Sequence, residues 1–406
     1  MIITDSGIKL QTQKSKEYTL DDLRIGVIGS GGRGGVARHA HQPENGARIV
    51  ACCSIVEAQL EKNRETYGND IFTTADYREL LNQELDAVFV TTPDFLHEEH
   101  AMAALDAGLA VYLEKPMAIT IAGCDRILEN ARKRNLRLYL GHNMRHMAFV
   151  LKMKELIDEG AIGEVKTAWC RHFVGNGGDF YFKDWHADRR LSTGLLLQKA
   201  AHDIDVLHWL CGSYTQRVNA MGALSVYGDI TDRHSPEERG DASVNKDHWP
   251  PLSQKQLNPV VDVEDVSMIQ MALNNGVLAS YQQCHFTPDY WRNYTLIGTE
   301  GRIENFGTGE NGTHIKLWNR RVSWNPDGDA VFDMDKEAGG HGGADPKIVA
   351  EFLRFVRSGG PINTSPVAAR YSVATGCQAT ESLRNGGVPL DVPQLDPELE
   401  AYFANV

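Results

Sequence analysis

The stretch Leu23-Arg24-Ile25-Gly26-Val27-Ile28-Gly29-Ser30-Gly31-Gly32-Arg33-Gly34 decides the fold. Its first six residues read as a buried strand, and the next six complete a G-x-G-x-x-G loop. Gly29 permits the tight turn, Gly31 lets backbone approach a pyrophosphate, and Gly34 allows close helix–strand contact. Gly32 and Arg33 complete the loop. A glycine-rich turn alone is common; one between a strand and a helix at the head of a βαβ repeat predicts dinucleotide binding.

The chain continues in that alternation. Strands are predicted at 48–53, 87–91, 110–113 and 136–141, with helices at 57–67, 98–107 and 121–134 between them. Such a pattern means a parallel sheet covered on both faces. Ligands of open parallel sheets bind beyond the carboxyl ends of the strands. The tripeptide Glu114-Lys115-Pro116 closes the 110–113 strand, so Lys115 points into the crevice opened by the glycine loop. Its ammonium suits a substrate hydroxyl beside a nicotinamide; the same position also suits a solvated lysine where proline stops the strand.

From residue 144 the pattern changes. An amphipathic helix at 148–159 and a strand at 164–171 precede a glycine-led helix at 194–211. Strands at 218–221, 266–272, 277–284 and 294–297 follow without intervening helices, which predicts an open, mostly antiparallel sheet. The fold class is therefore α/β: an N-terminal Rossmann dinucleotide-binding domain over 21–143, then an α+β substrate-binding and oligomerisation domain over 144–406. Residues 1–20 read as a polar arm. Residues 229–261, poor in apolar side chains, read as a surface insertion longer than compact domains keep without a use. Two helical segments within 345–385 should pack back on the body.

Composition narrows the function. The 41 Lys+Arg against 54 Asp+Glu give a formal charge of −13, which argues against nucleic acid and acidic membrane surfaces as partners. The start Met1-Ile2-Ile3-Thr4-Asp5 lacks the features of a signal peptide, and no apolar run suffices to span a bilayer. Seven scattered cysteines without C-x-x-C suit free thiols in a reducing cytoplasm, and no metal site is expected.

Nicotinamide enzymes that take NAD usually end their second strand in a carboxylate for the ribose 2′-hydroxyl. Here that place falls at Cys53-Ser54. Ser54 leaves room for a 2′-phosphate, with Arg33 or Lys62 as a source of charge. NADP is favoured slightly over NAD. Thr91, Thr92, Pro93 and His97 lie at the end of a neighbouring strand, and Glu114 and Asn143 at the ends of two more; they complete the expected cofactor set.

The segment Gly194-Leu195-Leu196-Leu197-Gln198-Lys199-Ala200-Ala201-His202-Asp203-Ile204-Asp205 is the expected centre of chemistry. On one continuous helix Gln198, His202 and Asp205 share a face. His202 titrates near neutrality and can take a proton from a hydroxyl, although a lone histidine on an apolar helix is also a common core residue. Arg145, His172, Tyr181, Trp185, His186 and Asp205 supply the mixture of aromatic faces and polar groups that suits a sugar.

These motifs together resemble the Gfo/Idh/MocA family of oxidoreductases. The resemblance runs from about Leu23 to the C-terminus and includes Thr92-Pro93-Asp94-Phe95-Leu96-His97, Glu114-Lys115-Pro116 and Gly141-His142-Asn143-Met144-Arg145. It also takes in Gly160-Ala161-Ile162-Gly163-Glu164-Val165, His202-Asp203-Ile204-Asp205 and Gly298-Thr299-Glu300-Gly301. It implies that the Thr91–His97 loop runs along the cofactor, that His97 flanks the nicotinamide, and that His202 is the acid/base. Dehydrogenases of the family usually carry Asp where this chain has Gln198. A glutamine cannot ionise, so either His202 works with Lys115 and the adjacent Lys199, or the chemistry differs. The expected function is NAD(P)-dependent oxidation or reduction of a sugar, cyclitol or sugar derivative by a homodimer or homotetramer. The alternatives are a glycoside-cleaving enzyme that oxidises its substrate transiently, and a non-catalytic sugar or nucleotide sensor.

Overall fold

The computed structural model describes residues 22–238, 240–308, 312–335 and 337–404; the expected arm at 1–20 lies outside them. Six short strands, β1 (Leu23–Ile28), β2 (Ala47–Cys53), β3 (Phe72–Thr74), β4 (Ala87–Val90), β5 (Ala110–Leu113) and β6 (Leu138–Leu140), form one parallel sheet. Its order is β3-β2-β1-β4-β5-β6. The reversal between β1 and β4 opens a crevice beyond their carboxyl ends, where nucleotide sites form. Strands β4 and β5 are buried along their whole length, as their unbroken apolar runs require. The first connection differs from expectation: Gly32–Ala40 winds as a tight 3-10 helix rather than an α-helix.

The second sheet has nine strands: β7 (Val165–Phe173), β8 (Thr215–Ala223), β9 (Val266–Leu273), β10 (Leu278–Cys284), β11 (Trp291–Gly298), β12 (Arg302–Phe306), β13 (Thr313–Trp318), β14 (Ala330–Met334) and β15 (Leu390–Asp391). The order is β14-β13-β12-β11-β7-β10-β9-β8-β15, antiparallel throughout except where β7 meets β10. One face is covered by the helices Ala148–Asp158, Ala201–Cys211 and Pro366–Arg384 around a core that includes Phe149, Ile204, Leu207 and Tyr294. The other face presents Met221, Met268 and Leu278 to solvent, at 73%, 52% and 62% exposure.

The C-terminal helices join the two sheets. Ala344–Ser358 lays Phe352 edge-on against Phe89 and Tyr112 of the first sheet, at 5.2 and 5.5 Å between ring centroids. Burying such a phenylalanine contributes roughly 2–3 kcal/mol. Pro366–Arg384 carries a fully buried Arg370, held 2.8 Å from Asp125. The segment 229–261 is fastened more firmly than its polar composition suggests. Ile230 and Leu257 are buried, with nearby Val263, against Phe182, Ala187, Leu195 and Tyr227. A few well-placed apolar residues hold an otherwise irregular stretch.

Candidate active site

The glycine loop is shaped by close approach. Gly29 has φ +85°, and a Cβ there would stand 2.7 Å from the Thr92 side chain. A Cβ on Gly34 would come 2.4 Å from the Gly29 carbonyl oxygen. Neither position admits a side chain. Gly31 is different: its φ is −84°, and an added Cβ would meet nothing nearer than Gln59 at 3.7 Å. The protein itself leaves that space free, as a cradle for a ligand approaching backbone. Thr91 ties the loop to the sheet by donating to the Gly29 carbonyl at 2.9 Å.

Beyond β2, no carboxylate takes the ribose-binding place. The Ser54 hydroxyl accepts from Val56 N at 3.2 Å, Ile55 is exposed, and Glu57 pairs with Arg64. Arg33 does not turn toward Ser54. Its guanidinium bridges Glu114 at 2.6 Å and Asp345 at 2.9 Å, so it joins the glycine loop to β5 and to the helix Ala344–Ser358. The expectation that it supplies charge for a 2′-phosphate gives way to this double ion pair.

His97 is buried, with ring nitrogens 2.6 Å from the Pro116 carbonyl oxygen and 2.8 Å from that of Thr92. It pins the end of β4 to the Lys115-Pro116 turn and spends its polar atoms on backbone. Glu114 accepts from the Lys115 backbone N–H at 3.1 Å. Lys115 is half-buried, and its ammonium donates to the Gln198 backbone carbonyl at 3.1 Å. Asp94, absent from the sequence-based site, proves central. It is 4% exposed, in the field of Lys115 and Glu114 with the Gln198 side chain against it. Burial pushes its carboxyl well above the usual range and pushes Lys115 downward.

The helix expected over 194–211 is broken. Leu195–Gln198 forms one turn, and the regular helix restarts at Ala201–Cys211. The amides of both Lys199 and Ala200 donate to the Leu195 carbonyl, a widened turn that inserts an extra residue. Gln198, His202 and Asp205 therefore do not share a continuous helical face. Gln198 faces Asp94, whereas Asp205 is buried against Arg145, which grips it with two hydrogen bonds of 2.7 Å. His142 Nδ1 lies 3.1 Å from the same carboxylate, which the Arg145 guanidinium above all holds well below its usual range against the opposing effect of burial.

A second buried network lies behind the site. Asp203 accepts from Tyr294, lies 2.9 Å from Arg292 Nε and 3.2 Å from His172 Nδ1, and stays ionised far below the ordinary carboxyl range because of Arg292 and His172. His172 in turn touches the Tyr281 hydroxyl at 3.1 Å. Arg145 and Asp205 thus spend their polar atoms on protein partners, as does Nδ1 of His172, whose Nε2 has no partner among the described residues. Tyr181 lies under the Lys199 ammonium at 5.3 Å, and Trp185 stacks on His186 at 3.8 Å. Burial and the charges of Lys115 and Lys199 push His186 down to about 3.

Lys199 and His202 open into a cavity of about 1140 Å³, together with Asn143, Tyr290 and Arg292. Burial, then the positive charges of Lys115, Arg292 and Lys199, hold His202 well below its usual range, so it is neutral at pH 7. Its Nδ1, with Asn143 Oδ1, Gln198 Oε1 and Asp94 Oδ2, finds no hydrogen-bond partner among the described residues. Buried polar groups are normally paired; the unpaired atoms of His202 and Asn143 belong to residues lining the cavity with Lys199, those of Gln198 and Asp94 to residues beside Lys115, a pattern that fits a site awaiting a hydroxylated ligand. Among the described residues no cluster of His, Cys, Asp or Glu is set to hold a metal, and no helix is long and apolar enough to cross a membrane.

Comparison with known proteins agrees with the two-domain fold. An oxidoreductase of Bacillus subtilis, YteT, is 26% identical over 333 residues, covering 72% of this chain and 76% of its own. The inositol 2-dehydrogenase/D-chiro-inositol 3-dehydrogenase of Shouchella clausii is 31% identical over 204 residues, 49% of this chain and 56% of that enzyme. The match thus spans little more than half the length of the inositol enzyme. Among solved structures, a levoglucosan dehydrogenase in complex with NADH and L-sorbose superposes with a TM-score of 0.72 at 21% identity, over 92% of this chain and all of that one, which shows a common fold. Residues 23–142 match the NAD-binding Rossmann-fold domain, and residues 154–392 the C-terminal alpha/beta domain, of one family; the chain belongs to the Gfo/Idh/MocA oxidoreductase family.

Proposed function

We propose that this protein transfers a hydride between a nicotinamide dinucleotide and a hydroxyl-bearing carbon of a sugar, cyclitol or sugar derivative. The observation that carries the reading is a neutral His202, its Nδ1 unpartnered among the described residues, which lines the cavity with Lys199 and lies in the field of Lys115, whose ammonium is hydrogen-bonded to the neighbouring Gln198 carbonyl. In oxidation, His202 takes the proton of the substrate hydroxyl while Lys115 donates to the same oxygen and steadies its developing negative charge. Bound nicotinamide supplies the acceptor for the hydride leaving carbon; in reduction the proton returns from His202. Lys199, pushed down by burial and by Arg292, is a further donor to substrate. Tyr181, Trp185 and His186 form the wall behind it, whereas Arg145, Asp205 and His172 position the helix that carries His202.

The glycines at 29, 31, 32 and 34, with Ser54, Thr91, Thr92, Pro93, Glu114 and Asn143, are proposed to hold the nucleotide. The missing carboxylate after β2 supports NADP ahead of NAD, although Arg33 adds nothing to that preference. Levoglucosan and inositol dehydrogenases are named for polyhydroxylated rings, in keeping with a carbohydrate-like substrate here. A domain division near residue 143, a cytoplasmic location, and a dimer or tetramer built on the bare face of the nine-stranded sheet belong to the same reading. Gln198 keeps the glycoside-cleaving alternative open, because an amide cannot share a proton with His202. The test is nucleotide reduction by the purified protein over a panel of sugars and cyclitols, with product analysis on aryl glycosides. Net reduced nucleotide supports the dehydrogenase; cleavage without it supports the alternative.

A further inference from the structure

The cavity that ends at Lys199 and His202 continues outward to a wall built by the segment 244–254. Val244, Asn245, His248, Trp249, Pro251 and Gln254 all line it. Across the same cavity stand Tyr290, Trp291 and Phe306, the last stacked on His314 with 5.4 Å between ring centroids. At about 1140 Å³ the space exceeds the ~300–1,000 Å³ usual for small-molecule pockets. A single sugar ring with the nicotinamide beside it fills only part of such a space.

The outer wall is held by design of the chain, not by chance packing. Asp179 and Lys183 are buried, and the Lys183 ammonium donates to Asp179 at 3.0 Å. His248 Nδ1 lies 2.7 Å from the same carboxylate, and the Asn245 backbone N–H donates to it at 3.2 Å. Gln254 also bonds Asp179. Removing a Lys–Asp pair from water is costly and stabilises little. Here the cluster fixes the path of an irregular segment so that Trp249, 48% exposed, stays at the cavity wall. An exposed tryptophan held in place opposite other aromatic rings offers flat apolar faces with polar groups beside them, the chemistry that grips the C–H face of a second ring.

We propose that the segment 244–254 and the aromatic wall opposite it form an outer subsite for the non-reacting ring of an extended carbohydrate, a disaccharide or an aryl glycoside. The proposal rests on the function given above, since the inner ring must reach Lys115 and His202. Matched pairs test it: glucose against cellobiose, galactose against lactose, and methyl against 4-nitrophenyl β-glucoside. The readouts are kcat/KM for nucleotide reduction and saturation-transfer NMR with reduced nucleotide present. The extended member of at least one pair should be preferred, with saturation reaching its second ring. Trp249→Ala should lower the ratio of extended to simple kcat/KM by about tenfold, and Val244→Asp should lower it independently of any effect on folding at Trp249. Equal kcat/KM within every pair, or a ratio unmoved by both variants, would overturn the subsite while leaving the dehydrogenase intact. Nucleotide binding without binding or turnover of any sugar would overturn both.

Discussion

Replacing Lys115 by Met keeps the length of the side chain and removes its charge and its donors. In the folded protein that ammonium makes one hydrogen bond, to the Gln198 carbonyl, and burial already disfavours its charge. The fold should therefore lose no more than about 1 kcal/mol, the worth of a single hydrogen bond. Chemistry should lose far more. Assistance from a positioned proton donor is worth about 10²–10⁴-fold, or roughly 2.7–5.4 kcal/mol of barrier at 1.36 kcal/mol per decade. A second signature separates this from damage to the fold. Lys115 is the charge that, after burial, does most to hold His202 down. Without it the His202 pKa rises. Oxidation needs neutral His202, which is lost as pH falls through its pKa, so the acid limb of the rate profile must move to higher pH. The assay is steady-state nucleotide reduction across pH with the best substrate of the sugar panel, beside a titration of nucleotide binding. A variant with unchanged kcat, or an acid limb that moves to lower pH, would refute the reasoning; a loss confined to nucleotide affinity would move Lys115 out of the chemistry.

Gly31→Val should fold normally, since a Cβ there meets only Gln59 at 3.7 Å, yet lose nucleotide binding in a fluorescence titration; retained affinity places the nucleotide elsewhere. Gln198→Asp puts a second carboxyl against Asp94, so one of the two must stay protonated; a plain dehydrogenase should tolerate it or oxidise faster, and a glycoside-cleaving enzyme should slow, as product analysis will distinguish. Asp203→Asn leaves the buried Arg292 without its counter-charge and should cost about 3–5 kcal/mol in urea unfolding. Because the Asp203 carboxyl is depressed in the fold, its stabilisation is present at neutral pH and lost as the parent is acidified below about 4; a variant as acid-sensitive as the parent would remove Asp203 as the cause. Met268→Glu with Leu278→Glu, on the bare sheet face, should lower the mass seen by light scattering, and a parent that scatters as a monomer defeats the oligomer.

Five of the six strands of the parallel sheet were legible because they are short, largely apolar and closed by turn chemistry, so local pattern and final burial coincide; β3, three residues of which only Thr74 is buried, has no such pattern and is not among the predicted strands. The same holds for Lys115, whose place after β5 follows from topology alone. Where the reading failed, the deciding contacts are far apart in sequence. Strands β12 to β14 alternate across a half-solvated sheet edge, and their pairing is set by neighbours rather than by their own weak apolar pattern. Asp203 collects its partners from β7 and β11, and no spacing on its own helix announces them.

Asp94 shows how function hides behind a local role. In Thr92-Pro93-Asp94 an aspartate reads as a capping residue ahead of a helix, and capping explains aspartates there often enough to end the enquiry. The structure gives its carboxyl no capping hydrogen bond at that helix start and buries it instead between Lys115 and Gln198. The helix break at Lys199–Ala200 is what makes this possible: by inserting one residue it turns Gln198 away from the Asp205 side and onto Asp94. The chain thus lacks a carboxyl at 198 yet keeps one within the field of the same lysine. Burial raises the Asp94 carboxyl, and the Lys115 ammonium donates to the Gln198 carbonyl, which leaves further N–H donors of that ammonium for a substrate oxygen.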